Sequence, residues 1–210
     1  MPMKSLCKYD WIGTMAKNTR DTLLDYTFDE IHKYGYFQAS TSDILKKCKI
    51  PKGSMYHYFS SKHDLTLAVI KERVFPKTLK NYHIKILNSP MDALIDFVEG
   101  VDFSKKAFKH GCIMHKLIVE MSHLDVAFQQ ELALIYNGVV VHLEELLNLA
   151  YKEGEIKKCD TKEKANYIFA TLLGIISLKN EAARMTFVKE LRLLKPLKKV
   201  SKLPRQQSLF

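Results

Sequence analysis

The chain has 210 residues, 47% of them hydrophobic, which is enough to bury a core without cross-links. Its four cysteines show no CxxC or metal-finger spacing, and its longest nearly apolar stretch, residues 167 to 178, is shorter than the roughly 20 residues of a membrane span. The net charge of +10 is concentrated before residue 76 and after residue 188. We therefore expect a cytoplasmic protein with nucleic acid rather than membrane as partner, although a solvated basic surface fits the charge equally well.

Apolar periodicity predicts an all-α chain, with little β-alternation and no internal repeat. A first helix carries Leu24, Phe28 and Ile31 on one face and ends at Gly35, because glycine tolerates the backbone conformation that follows a helix. Ser40 predicts the start of a short second helix, since its hydroxyl can accept from the free amides of a first turn.

A helix-turn-helix is predicted next. Only residues 49 to 51 separate the second helix from another short segment, in which Met55 and Phe59 lie four residues apart. Ser61 predicts the start of a fourth helix, and Pro76 predicts its end.

Later in the chain, caps and helix breakers divide the sequence into longer helices. Ser89, Asp125 and Asp160 are predicted to begin helices, and Gly154 is predicted to end one. The predicted helices lie near residues 77–87, 90–103, 111–123, 126–153 and 161–194.

The segment from Lys52 to Phe59 has the two faces that a DNA recognition helix needs. Met55 and Phe59 are predicted to face the core, whereas the polar and aromatic side chains between them lie on other faces. Such an aromatic surface helix favours a partner that covers it, and the groove and phosphates of DNA are one such partner.

The residues around this helix resemble the DNA-binding signature of the TetR family of transcriptional regulators. The resemblance lies in residues 41–44 and 48–65, with residues 28–37 resembling the first helix of the family and its Gly-Tyr turn. It implies a homodimer that binds a palindromic double-stranded DNA operator through two recognition helices in successive major grooves. It also implies a ligand-responsive repressor that a small-molecule effector releases from DNA.

The resemblance also implies a domain organisation. We expect a three-helix DNA-binding domain with the helix-turn-helix over residues 15–62 and a helical effector-binding and dimerisation domain over 63–195. Residues 1–14 precede the resemblance and are expected to be a disordered leader, with Met15 as a natural start. Residues 196–210 are expected to be a basic tail.

Nine residues are predicted to bind DNA, eight of them carried over position by position from the resemblance and Gly53 from its lack of a side chain. Lys52 and Ser54 match positions that reach base edges, and Gly53 would let the backbone come close to the partner. The alternative for each residue is an ordinary surface side chain, and for Tyr58 a core role fits equally well. The positions that match phosphate contacts are Thr41, Ser42, Tyr56, His57, Tyr58 and Lys62.

The last two long helices are expected to form the dimer interface as an intersubunit four-helix bundle, with monomer core as the alternative for their apolar residues. These residues are Leu132, Ile135, Val139, Leu143, Leu146, Ile168, Leu172, Ile175 and Ile176. The effector pocket is expected among the middle helices, and an apolar or aromatic effector is favoured because no charged group is clearly committed to the interior. The candidate lining residues are Phe97, Phe103, Phe108, Cys112, Met114, Met121, Phe128, Tyr136 and Phe169. Most of them are expected to be ordinary core residues.

Cys112 opens a predicted helix next to His110, His115 and Lys116, where a helix dipole can lower the pKa of a thiol. The Gly-Cys helix opening resembles a branch of the family that includes thiol-based sensors of electrophiles and oxidants. In this chain, Lys179 of the last long helix is a candidate spatial partner of Cys112. A buried inert cysteine is the competing interpretation. Metal binding is disfavoured because a fourth ligand is not evident.

Other functional classes are weaker. The sequence shows no GxSxG, HExxH or phosphate-loop motif, so we predict that the protein is not an enzyme and needs no cofactor or metal. A DNA-binding regulator without an effector stays open as an alternative, since the pocket is inferred rather than read from a motif.

Overall fold

The structure, a computed structural model, describes residues 18–87, 89–105 and 108–195, and the predicted leader and basic tail lie outside these residues. Within them all regular structure is helical, which confirms the predicted all-α class. A π-helical turn, Ile70–Val74, joins the fourth helix to the fifth. The α-helices are α1 (Thr19–Tyr34), α2 (Thr41–Cys48), α3 (Lys52–Tyr58), α4 (Lys62–Val69), α5 (Phe75–Asn81), α6 (Pro90–Glu99), α7 (Ile113–Met121), α8 (Val126–Lys152), α9 (Thr161–Leu178) and α10 (Glu181–Leu193).

The predicted N-caps are confirmed. Each of these side chains accepts a hydrogen bond from the backbone amide three residues further on, which satisfies one of the amides that a helix start leaves free. The five capping residues are Ser40, Ser61, Ser89, Asp125 and Asp160.

Several predicted helix boundaries are wrong. Pro76 does not end α4, because the π-helical turn carries the chain into α5 and Pro76 lies in its first turn, where a missing N–H removes no α-helical hydrogen bond. The segment predicted as one helix from 161 to 194 is two helices. Lys179 adopts a left-handed conformation with φ 50° after α9, and Asn180 caps α10.

The predicted helices 77–87 and 90–103 also end early, at Asn81 and Glu99. Helices α1 to α4 pack on one another through residues such as Leu24 and Met55, whereas α8 packs against α5, α6, α7 and α9. Buried apolar side chains from both predicted domains belong to one hydrophobic cluster.

Helix α8 is long and apolar enough to cross a membrane by length and composition alone. Here it lies in the protein core, where side chains such as Phe128, Ile135 and Leu143 are buried among neighbouring helices. The core helix of a soluble protein satisfies the same length and composition test, so α8 alone is weak evidence for a membrane span.

The nine apolar residues predicted for the dimer interface are all buried within the chain, so the alternative, monomer core, describes them. Exposed apolar side chains occupy other positions on the same two helices. Leu134 and Val141 lie seven residues apart on α8, and Tyr167 and Leu178 lie eleven residues apart on α9, spacings that place each pair on one helix face.

Candidate nucleic-acid interface and adjacent cavity

Helix α3 has one buried and one exposed face, as the sequence predicts. Met55 within it and Phe59 directly after it are 1% and 6% exposed, and they anchor the helix in the core. The opposite face is open to solvent and includes Lys52 and Tyr56. Of the other predicted contact residues in α3, Gly53, His57 and Tyr58 are exposed and Ser54 is half-buried. This arrangement leaves donor groups available to a partner.

The competing core role for Tyr58 does not match its position. Its side chain is 43% exposed, and its ring packs edge-on against His57 at a centroid distance of 5.1 Å. The hydroxyl of an exposed tyrosine can donate to a phosphate oxygen. Tyr58 therefore stays among the candidate DNA contacts.

A shallow groove between α2 and α3 extends the candidate interface. Thr41 and Ser42 from the start of α2 line it together with Lys52 and Tyr56 of α3. Three lysines and no carboxylate are among its lining residues, which favours a polyanion. Sequence reasoning missed two of them, Lys46 and Lys49, because the resemblance assigns no role to these positions.

Lys62 differs from the other candidates, because its ammonium contacts the protein itself. It donates a hydrogen bond to the Tyr36 carbonyl at 2.5 Å and lies 4.5 Å from the centre of the Tyr36 ring. Desolvation by burial lowers the pKa of Lys62 below its usual value. The predicted phosphate contact stays a prediction, and the structure adds a role in holding the turn after α1.

We expect replacement of Lys62 with methionine to lower the melting temperature. The variant loses the charged hydrogen bond that joins the start of α4 to the turn after α1. The salt dependence of DNA binding should change less than after Lys46→Met, which removes an exposed cation from the groove and should flatten the log–log slope by about 0.9. Thermal unfolding and binding titrations at several salt concentrations measure both effects. If Lys62→Met instead flattened the salt slope by a full unit and left the melting temperature unchanged, Lys62 would act only as a phosphate contact.

The C-terminal end of α1 is held against α7. The last carbonyls of a helix have no partner within it, and Lys116 of α7 donates to one of them, the His32 carbonyl, at 2.7 Å. The backbone amide of Tyr36 donates to Glu120 of α7 at 2.6 Å. A third contact joins α4 to the cap of α8, where His63 Nε2 lies 2.8 Å from Asp125 Oδ2. The DNA-binding helices are thus connected directly to the helices that follow.

A cavity of about 900 Å³ lies next to this junction. Its wall is built from α1, α5, α6, the loop before α7 and one residue of α9, and three of the predicted effector residues line it: Phe97, Phe108 and Cys112. Phe103 packs on Phe108 with ring centres 6.2 Å apart, and Tyr136 packs on Phe169 at 4.9 Å. The remaining predicted residues, Met114, Met121, Phe128 and Phe169, are buried core residues.

Sequence reasoning missed the part of the cavity that α1 and α5 supply. Phe28 and His32 of α1 and Lys77 and Thr78 of α5 all line it. Nothing in the local sequence signals this, because these residues meet the loop before α7 only through long-range contacts such as the hydrogen bond from His32 Nε2 to the Gly111 carbonyl at 2.8 Å.

The surroundings of Cys112 do not favour a reactive thiol. Burial raises the pKa of the Cys112 thiol, and burial together with its contact to Cys112 raises the pKa of Tyr82. A raised thiol pKa leaves less of the nucleophilic thiolate near neutral pH. Lys179 donates to the Lys109 carbonyl at 2.8 Å. Among the residues that the structure describes, no group of three or more His, Cys, Asp or Glu side chains could hold a metal ion.

Acidification is expected to destabilise the fold between about pH 7 and pH 5. Burial lowers the pKa of His32, His115 and His142 below the usual value for histidine, so the unfolded chain binds more protons in this range. Stability is therefore complete above the unfolded pKa and falls as pH decreases. Protonation of His142 also removes the Nε2 acceptor of the Ile84 amide.

Melting temperatures at pH 7.5 and pH 5.5 measure this effect, and the lower value is expected at pH 5.5. Replacement of His142 with glutamine keeps an acceptor and removes a titrating group, so it should reduce the difference between the two temperatures. Equal melting at both pH values in the unmodified protein would refute the expectation.

Comparisons with known proteins agree with this geometry. The family described as "Bacterial regulatory proteins, tetR family" matches residues 23–69, which include α2 and α3, and the family "Tetracyclin repressor-like, C-terminal domain" matches residues 87–185. An HTH-type transcriptional regulator in the lacX 3′ region of Lactococcus lactis is 30% identical over 166 residues, which cover 77% of this chain and 83% of the relative. The repressor NemR of Escherichia coli K12 is 26% identical over 172 residues, 75% of this chain and 81% of NemR.

Solved structures show the same fold. The reduced form of E. coli NemR superposes with a TM-score of 0.75 at 19% identity, covering 87% of this chain and 100% of NemR. The regulatory protein TetR from Rhodobacter sphaeroides gives a TM-score of 0.71 at 24% identity and covers 83% of this chain and 97% of that protein. The chain therefore belongs to the TetR family of bacterial transcriptional regulators.

Proposed function

We propose that the protein is a ligand-responsive repressor that binds a palindromic DNA operator as a homodimer and is released by a small-molecule effector. The observation that carries this proposal is the anchoring of α3, which buries Met55 and leaves Lys52 and Tyr56 exposed on the opposite face. Such a helix can enter a major groove without unfolding its own domain. The regulators that match this chain are not enzymes, and we propose the same for it, with its action on DNA in the cytoplasm.

Within this proposal the DNA contacts divide into two groups. Lys52 and Ser54 reach base edges, because they lie at the start of α3. Thr41 and Ser42 at the start of α2, together with Tyr56, His57 and Tyr58, contact phosphates, and Gly53 allows the backbone of α3 to approach the duplex. We add Lys46 and Lys49 to the phosphate group because they line the same groove.

The homodimer would use the exposed apolar side chains of α8 and α9. Leu134 and Val141 on α8 and Tyr167 and Leu178 on α9 are each at least half exposed. Gly174 lies between the last two on α9, and a methyl group added to its Cα would have no neighbour within 4 Å, which leaves room for a partner helix. Burial of such residues between two copies would stabilise the pair by roughly 25 cal/mol per Å² of apolar surface.

The effector would act through the cavity, because α1 forms part of its wall. A ligand that contacts Phe28 and His32 touches the DNA-binding helices directly, and α5 continues into α4 through the π-helical turn. If the ligand binds more tightly to the orientation in which the two copies of α3 do not fit the operator, binding lowers DNA affinity. The cavity volume is the observation that favours this function over a regulator without an effector.

Selection of bound sequences from random duplex DNA tests the proposal. We expect enrichment of an inverted repeat, bound by two chains per duplex, and loss of enrichment when Lys52 and Ser54, the proposed base contacts, are both replaced with alanine. A thermal-shift screen of small molecules on the same protein tests the effector, since a ligand of the cavity raises the melting temperature. Recovery of DNA without any shared sequence would contradict the proposed operator binding. Absence of any stabilising compound would leave a regulator that acts without an effector.

A further inference from the structure

The charges around the cavity indicate the chemical class of its ligand. Lys33, Lys77 and Lys109 line it and are exposed, so they border its solvent side. Asp29 and Asp96 are the carboxylates among its lining residues and are also exposed. The deeper wall is apolar and buried, with Val74, Val101, Ile113 and Ile176. An apolar interior below a charged opening suits an amphipathic molecule.

The positive charge is concentrated at one end of the cavity, around His32 and His110. Desolvation and the nearby charges of His32, Lys109, Lys116 and Lys33 lower the pKa of His110. Desolvation, Lys116 and Lys77 also lower the pKa of His32, whereas the Gly111 carbonyl and the Asp29 carboxylate oppose this shift. Asp96 lines the cavity from α6.

The geometry joins these groups into a continuous row. The Lys77 ammonium lies 4.2 Å from the centre of the Phe28 ring, which is 5.8 Å from the His32 ring, and His32 is 5.7 Å from His110. The Gly111 carbonyl can only accept, so it fixes a hydrogen on His32 Nε2. The other ring nitrogen, Nδ1, is therefore the atom that gains a proton when an anion approaches.

We propose that the cavity binds an amphipathic organic anion, whose carboxylate lies near Lys77, His32 and His110 and whose acyl or aryl body packs along Phe97, Phe108 and Ile176. This inference rests on the proposed effector function and names the ligand class for that site. It keeps the apolar or aromatic body expected from the sequence and adds a negative charge. The charge distinguishes the ligand because cationic side chains border the opening of the cavity and attract an anionic head group.

Binding of such an anion is linked to proton uptake. A bound carboxylate favours the charged forms of His32 and His110, whose pKa values are lowered in the free protein, so binding takes up protons and tightens as pH falls from 8 to 6. The charged groups that face the two histidines are Lys33 and Asp29 on α1, Lys77 on α5, Asp96 on α6, Lys109 in the loop and Lys116 on α7.

Calorimetric titration of the full chain with decanoate, 1-decanol and decylamine tests the proposal, because these probes share one apolar body and differ in the head group. We expect decanoate to bind about tenfold more tightly than decanol, and decylamine to bind most weakly. Replacement of Lys77 with glutamine should remove most of the decanoate advantage and leave the decanol affinity unchanged. Lys80→Gln, on the same helix but outside the cavity lining, is the matched control and should behave as the unmodified protein.

Equal affinities for decanoate and decanol would overturn the anion proposal, and so would equal effects of Lys77→Gln and Lys80→Gln. Failure of all three probes to bind would overturn it as well. In each case operator binding, measured on the same preparation, reports separately on the proposed function. Ligand binding without head-group preference would leave a cavity that accepts an uncharged effector.

Discussion

Replacement of Gly35 with alanine is expected to lower the melting temperature by roughly 10 °C. Gly35 has φ 86° and ψ 171°, a conformation that is essentially limited to glycine and costs other residues about 1–3 kcal/mol. A methyl group there would lie 2.0 Å from Glu120 Oε1. The carboxylate can move away, but it then loses its hydrogen bond from the Tyr36 amide. The two costs together reach about 3 kcal/mol, or roughly 10 °C for a chain of this size.

Gly53 provides the matched control, because it is an exposed glycine within α3 with no neighbour within 4 Å of the new methyl group. Gly53→Ala should leave the melting temperature unchanged or raise it, since alanine favours a helix by up to about 1 kcal/mol. It should weaken operator binding nonetheless, because the methyl group stands between the backbone and the duplex. Similar melting of Gly35→Ala and the unmodified protein would show that the contact between the α1 turn and α7 is not required for stability.

Replacement of Lys52 with alanine is expected to reduce affinity for the selected operator about tenfold to a hundredfold. Lys52 begins α3, is exposed, and lies beside Tyr56, with its ammonium 5.8 Å from the centre of that ring. A lost base contact costs about 1–3 kcal/mol and relaxes the preference at one base pair. The melting temperature should not change, because the Lys52 side chain does not pack in the core. Mobility-shift titrations against the operator and against single-base variants measure both the loss and the relaxed position.

Lys189→Ala is the control for charge, since Lys189 is exposed on α10, far along the chain from the helix-turn-helix. It changes the net charge by the same amount, so a general electrostatic effect would appear in both variants. An equal loss of affinity in the two would mean that Lys52 acts only through net charge. An undiminished preference at every base pair in Lys52→Ala would place the base contacts elsewhere.

The sequence was sufficient to predict the DNA-binding helices because their signals are local. The spacing of Met55 and Phe59 fixes which face of α3 is buried, and a cap such as Ser40 satisfies amides three residues away. The break between α9 and α10 could not be predicted in the same way. It depends on Lys179 in a left-handed conformation, which lysine seldom adopts, and no glycine or proline marks the position.

The cavity was predicted least well, because its composition depends on contacts between distant parts of the chain. His32 reaches Gly111 across 79 positions, and Lys116 reaches the end of α1 across 84. Apolar periodicity identified Phe97 and Phe108 as interior residues but gave no means to separate cavity lining from closed core. It therefore also selected Phe128 and Phe169, which are fully buried.

Hydroxyl-radical footprinting of the full chain on its selected operator tests the central claim, that the exposed faces of two copies of α3 hold one duplex. We predict two protected patches on the DNA, related by a two-fold axis. Their centres should lie about one helical turn, or 10 base pairs, apart, or a multiple of that spacing. Replacement of Tyr56 with alanine should weaken both patches together, because each copy loses the same contact. A single patch, or protection that this variant weakens on one side only, would contradict the proposed two-fold binding.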